Sequence, residues 1–159
     1  MSLNDAANAA ALKKATLLDE SFSRFAVRAT LAGVYLCIGT GFAGVVGQAV
    51  NGVAPGLGAV AFSLFFGVGL FAILLLGAEL ATGNMMYMVY AAGNKQVRWG
   101  KALYVLLITT IFNLVGAIIF AAIMAMSAKF ADLDLSHLLV TVSEGKLIKS
   151  PQGLSLIHI

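Results

Sequence analysis

Charged side chains are what this sequence has least of. Asp, Glu, Lys and Arg make up 11% of its 159 residues and hydrophobic residues 60%, where a soluble domain carries about 25% charged and about 45–50% apolar. The deficit is concentrated. No acidic or basic residue occurs from Ala29 to Ala78, and none from Ala102 to Ala128. A charge at the centre of a membrane helix costs roughly 2.5–3.5 kcal/mol, so windows this bare are what a bilayer demands, whereas a soluble helix keeps charges on its outer face. Cysteine is nearly absent too. Cys37 stands alone, which excludes a disulfide within the chain, and in its apolar run it reads as a small buried hydrophobe. The first 20 residues include Lys13, Lys14, Asp19 and Glu20 and lack an apolar run ending in a cleavage site, so no cleavable signal peptide is expected. There is no nucleophile–base pair, phosphate loop or metal-ligand spacing. No catalytic residue, metal or cofactor is therefore expected, and the chain does not read as an enzyme. Met85, Met86 and Met88 have no Cys or His beside them and read as packing. The net charge of +3 reads as membrane topology and not as a nucleic-acid footprint.

What is present divides into an N-terminal segment, residues 1–21, and a membrane part, residues 22–153. The N-terminal segment reads either as a short amphipathic surface helix, from its Ala and Leu spacing, or as a loosely ordered tail. A first span is expected from Arg24 to Val50, with Arg24 and Arg28 snorkelling at its start. Gly33, Gly39, Gly41, Gly44 and Gly47 thin its surface, as small residues do where membrane helices approach closely. The loop Asn51–Gly56 follows, broken by Pro55. A third span is expected from Lys101 to Ala128. His137 sits among loop-like polar residues and reads as solvated. Lys and Arg cluster before the first span and between the second and third, and the loop between the first and second has none. The rule that cytoplasmic loops hold the excess of basic residues then places the N-terminus inside a multi-pass cell inner (plasma) membrane protein. Residues 154–159, Leu-Ser-Leu-Ile-His-Ile, resemble the translated transposon end of a sequencing-library adapter, which implies that the natural reading frame continues and that His158 is no functional candidate.

The second apolar segment, Ala59 to Tyr90, is 32 residues long, about 48 Å as a helix. The hydrocarbon core is about 30 Å thick, so one straight helix overshoots. Its polar cluster, Glu79, Thr82, Gly83 and Asn84, marks the expected break. Irregular backbone at membrane depth is tolerated only inside protein or along a wet cavity, and broken helices commonly form transport sites. The half-helix resuming after the break offers free N–H groups near Thr82–Asn84, with a dipole that favours an anion, and Thr82 is placed to cap it. An acid in the membrane is a functional candidate by default. Because a carboxylate on an anion path would repel the cargo, Glu79 reads better as bracing the loop by accepting its N–H groups, with Asn84 beside it.

The stretch from Phe62 to Phe130 resembles the formate/nitrite transporter family. The marks are Gly77-Ala78-Glu79-Leu80, Thr82-Gly83-Asn84, Trp99-Gly100 and Asn113-Leu114-Val115-Gly116-Ala117, in that order and spacing. A looser likeness extends over residues 22 to 153. The resemblance implies half of a six-span inverted-repeat channel: an all-α integral membrane protein with three spans present, the second broken, from a family that assembles as homopentamers with a pore in each protomer. It implies a membrane channel or transporter for small monovalent anions such as formate, nitrite or hydrosulfide, often proton-coupled. By the same resemblance Phe66, Leu70 and Leu80 line hydrophobic constrictions, Thr82 meets a central His, and Lys146 is a vestibule cation that attracts anions, with Lys149 as a competing match. The family usually has Phe after the loop Leu, and this chain has Ala81, which suggests a wider or differently gated constriction. The fourth to sixth spans and the central His would lie beyond this chain, so the fragment alone should not form a pore. Two other readings are weaker. A membrane-embedded enzyme would need clustered His, Asp or Glu, and a structural or assembly protein has little reason to break a helix within the bilayer.

Overall fold

The computed structural model describes residues 2–128, 130 and 133–147, apart from the side chains of Leu3, Lys146 and Leu147. Among these residues all regular structure is helical: α1 (Leu3–Glu20), α2 (Phe22–Val53), α3 (Gly58–Leu75), α4 (Ala81–Gly93), α5 (Trp99–Ala125) and α6 (Leu138–Leu147). Helices α2, α3 and α5 are long and apolar enough to cross a membrane, at about 48, 27 and 40 Å. The expected second segment is α3 and α4, separated by the loop 76–80. The chain is thus an all-α membrane protein with three spans, the second interrupted. The tail expected to be an adapter scar, residues 154–159, lies outside the described residues.

The chain forms two compact units. The first comprises Met1–Ile38 and Gly69–Ala122. Its opening helix is set by Ser2 and Asp5: Ser2 Oγ accepts the Asp5 N–H at 3.2 Å, and Asp5 Oδ2 accepts the Ser2 N–H at 3.0 Å. This reciprocal capping box satisfies two donors that a helix start otherwise leaves free. Helix α1 is an ordered helix rather than a tail, exposed on one side and packed on the other. Its Ala11, Ala15 and Leu18, spaced to share one face, are buried in a core with Met88, Ala91 and Ala92 of α4 and Val97, Ala102 and Val105. The Tyr90 hydroxyl adds a hydrogen bond to Asn4 Oδ1 at 2.6 Å. Of the three methionines expected to pack, Met88 is buried, while Met85 and Met86 are exposed on the chain.

Helices α2 and α5 meet backbone to backbone in this unit. A Cβ on Gly33 would lie 2.0 Å from the Asn113 carbonyl oxygen, and one on Gly116 1.9 Å from that of Thr30. Only glycine permits that approach. Its consequence is positional, because it brings the Asn113 side chain to the main chain of Ala29.

The second unit comprises Gly39–Val68 and Ile123–Ile159. Here Gly44 and Gly47 make room for Leu139 and Leu138. Gln48 Oε1 accepts the Leu138 N–H at 3.0 Å, and His137 Nδ1 accepts that of Leu139 at 3.2 Å, which caps the start of α6. His137 is therefore half-buried and engaged, not merely solvated. The turn between α2 and α3 closes through Asn51 Oδ1, which accepts the Gly56 N–H at 3.1 Å, with Gly56 at φ +91°. Phe42 meets Phe65 edge to face at 5.5 Å.

Candidate functional site

The interruption of the second span is built from backbone upward. After Leu75 the chain turns at Gly77, whose φ of +63° is a left-handed conformation that glycine adopts without strain. The Ala78 N–H still reaches back to the Ile73 carbonyl at 3.0 Å, but the Glu79 N–H leaves the helix and donates to the Arg28 carbonyl of α2 at 3.1 Å. Leu80 is extended, with φ −96° and ψ 134°, and α4 begins at Ala81.

One side chain completes this loop. Asn113 Nδ2 donates to the carbonyls of Ala29 and Glu79, each at 2.8 Å, and Asn113 Oδ1 accepts the Ala81 N–H at 2.9 Å. The carboxamide thus satisfies an acceptor on α2, an acceptor in the loop and the first donor of α4. Unpaired, such groups at membrane depth would cost several kcal/mol each, roughly. Thr82 does not cap α4 as expected. Helix α4 starts one residue earlier, its N-cap is Leu80, and no cap side chain bonds to it. Thr82 has helical backbone and an exposed side chain, and the capping acceptor comes from α5 instead.

Glu79 also differs in how it is satisfied. It is buried, at 5% exposure, and its Oε2 receives Lys14 Nζ of α1 at 2.5 Å rather than turning to the loop N–H groups. The same ammonium lies 5.7 Å from the centre of the Tyr87 ring, close enough for a cation–π attraction. Asn84 is fully buried one turn into α4, where its Nδ2 donates to Thr109 Oγ1 at 2.9 Å, and that hydroxyl donates to the Val105 carbonyl at 2.7 Å. Asn84 Oδ1 is buried without a hydrogen-bond partner.

The remaining expected positions divide between the two units. Leu80 and Ala81 are half-buried at the break. Leu70 is exposed at 38%. Phe66 belongs to the second unit and stacks on Phe62 at 6.2 Å. Lys146 falls in α6, but its side chain lies outside the described residues, as does Lys149. Among the described residues no group of His, Cys, Asp or Glu gathers as metal ligands do. Three participants escaped the reading of the residues: Asn113, Lys14 and Thr109. Asn113 carried a signal of its own, as a carboxamide in an apolar run without charge, where polar side chains bond between helices.

Residues 2–156 match the family model described as formate/nitrite transporter. The chain is 28% identical over 137 residues to "Uncharacterized transporter YwcJ" of Bacillus subtilis (strain 168), covering 86% of this chain and 54% of that protein. It is 35% identical over 106 residues to a "Probable formate transporter" of Methanothermobacter thermautotrophicus, covering 65% of this chain and 39% of that one. A solved structure titled "FNT family ion channel" shares the fold, with a TM-score of 0.84 at 21% identity over 92% of this chain and 58% of its own. The chain therefore spans about half, or less, of the length of the curated relatives it matches.

Proposed function

The chain belongs to the formate/nitrite transporter family, and on that premise we propose that it supplies the first half of a membrane channel or transporter for small monovalent anions of the formate, nitrite or hydrosulfide class. The observation that carries this reading is the interrupted span. Asn113 occupies the Ala81 N–H, while Leu80, Thr82 and Gly83 lie in the first turn, where N–H groups have no acceptor within the helix. These donors, the dipole of α4 and the exposed Thr82 hydroxyl suit a small anion, and Leu80 beside them is apolar enough to exclude hydrated cations. In this proposal Phe66, Leu70, Leu80 and Ala81 form the constrictions, Glu79 and Asn84 brace the loop, and Lys146 draws anions toward the path. A second, inverted half, assembly as a homopentamer, proton coupling, and a plasma-membrane location with the N-terminus in the cytoplasm belong to the same proposal, the last from the placement of Lys and Arg.

The test is anion flux into liposomes holding a full-length family protein that carries this sequence as its first half. Saturable flux of formate, nitrite or hydrosulfide above that of empty vesicles, altered by Ala81→Phe, is the expected result. Flux no greater than in empty vesicles for all three anions would overturn the reading. Unchanged conductance and selectivity in Ala81→Phe would remove Ala81 from the constriction.

A further inference from the structure

The start of α2 holds a pair of arginines that the proposed pore does not use. Ser23, Arg24, Val27 and Arg28 line a groove of about 350 Å³. Arg24 and Arg28 are four residues apart, so both guanidinium groups rise from one helix face. Neither has an acidic partner, since the ion pairs among the described residues are Lys14–Glu79 and Lys101–Asp19. Arg24 is exposed, but Arg28 is half-buried and lies against the broken loop, where a Cβ on Gly77 would come within 3.1 Å of its Nη2. A half-buried guanidinium with five donors and no acceptor is an incomplete arrangement, because such groups are normally paired. The positive end of the α2 dipole adds to the same field.

The depth of the groove indicates what completes it. Arg28 is the last charged residue before the uncharged stretch that begins at Ala29, so the groove sits where water gives way to hydrocarbon. Lipid phosphates lie at that level. Val27, lining the groove, and Phe22, just before it, are exposed apolar side chains that can meet the upper part of an acyl chain. A guanidinium fork matches a phosphate in two parallel hydrogen bonds, and the Ser23 hydroxyl is a further donor.

We propose that Ser23, Arg24 and Arg28 form a phosphate site occupied by the headgroup of an anionic lipid, in the leaflet that holds the start of α2. The site makes no use of the pore residues and stands whether or not the transport reading does.

The test uses the full chain purified in a neutral detergent and examined by native mass spectrometry, titrated separately with phosphatidylglycerol and phosphatidylcholine. Inorganic phosphate is added as competitor in a parallel series. Phosphatidylglycerol should be retained in preference to phosphatidylcholine, and Arg28→Gln and Arg24→Gln should each weaken retention by about tenfold, the effect of losing a charged hydrogen bond. Arg28→Lys should retain part of the binding, because the charge remains but the fork is lost. Circular dichroism verifies that the variants keep their helices, and Arg98→Gln serves as a variant with equal charge loss elsewhere. Retention unaffected by either arginine, or weakened as much by Arg98→Gln, would overturn the site. Displacement of the lipid by millimolar inorganic phosphate, with no preference between the two lipids, would assign the groove to soluble phosphate and overturn the lipid as its occupant.

Discussion

Asn113 Nδ2 lies 2.8 Å from the main-chain oxygen of Glu79, so a side chain on the third span holds the backbone of the second at the residue whose own carboxylate is held by the N-terminal helix. Two elements thereby converge on one residue, Asn113 through its backbone and Lys14 through its side chain.

Asn113→Ala should be the most damaging polar substitution in the first unit. It removes three hydrogen bonds and leaves the carbonyls of Ala29 and Glu79 and the Ala81 N–H without their partner. At about 1–3 kcal/mol for each group left unsatisfied, with partial relaxation, the loss should be about 2–5 kcal/mol. Thermal unfolding in detergent measures it. Wild-type stability in Asn113→Ala would show that the loop is held by other means.

Lys14 and Glu79 should be energetically coupled. Their side chains are 18% and 6% exposed, so the pair is screened less than a surface pair but more than a fully buried one. Removing one partner from a buried pair costs roughly 3–5 kcal/mol, and from an exposed pair roughly 0–1 kcal/mol, which places Lys14→Met at about 1–3 kcal/mol. Glu79→Gln should be milder in the Lys14→Met background than in the wild type. A double-mutant cycle with additive effects would exclude the coupling.

Glycine should be irreplaceable at two positions for two different reasons. Gly116→Ala places a methyl 1.9 Å from the Thr30 carbonyl oxygen and must force α2 and α5 apart, at about 1–3 kcal/mol or more. Gly77→Ala meets only the far end of Arg28, but its φ of +63° costs a side chain about 1–2 kcal/mol. Melting temperatures of both variants should fall. Arg28→Gln should relieve neither loss substantially, because backbone dominates each.

The capping box of α1 should be sensitive to acid. The hydrogen bonds from the Ser2 side chain and backbone hold the Asp5 carboxyl below its ordinary value of 3.8. A carboxylate whose folded pKa is depressed contributes stability above its unfolded pKa and loses it as pH falls through the folded value. Ser2→Ala should therefore lower helicity relative to wild type at neutral pH, and the difference should shrink below about pH 3.8. Circular dichroism of the two forms across that range is the measurement. A difference that stays constant with pH would show that Asp5 does not take part.

Much of this architecture was legible because a bilayer leaves few choices. Three long apolar stretches with almost no charge point to membrane helices. The excess length of the second, together with its polar cluster of Glu79, Thr82, Gly83 and Asn84, located its interruption to within a few residues: the loop is 76–80, and Thr82–Asn84 already belong to α4. What was not legible is tertiary. That Lys14 neutralises Glu79 depends on α1 docking on α4, and nothing local in either segment announces a partner 65 residues away. That Asn113 rather than Thr82 caps α4 depends on the glycine contact of α2 with α5 and on α4 starting one residue before Thr82. The positions drawn from family resemblance are uneven in the same way. Leu80, Ala81 and Thr82 stand at the break, while the Lys146 side chain lies outside the described residues.

The Asn113 clamp also sets an order of events during synthesis. The loop 76–80 is synthesised before Asn113, so until the chain has grown the 32 residues from Ala81 to Asn113 its carbonyl at Glu79 and the N–H of Ala81 lack their native side-chain partner. The break is therefore a late feature of biogenesis. The most polar stretch of the second span is completed only by a side chain of the third.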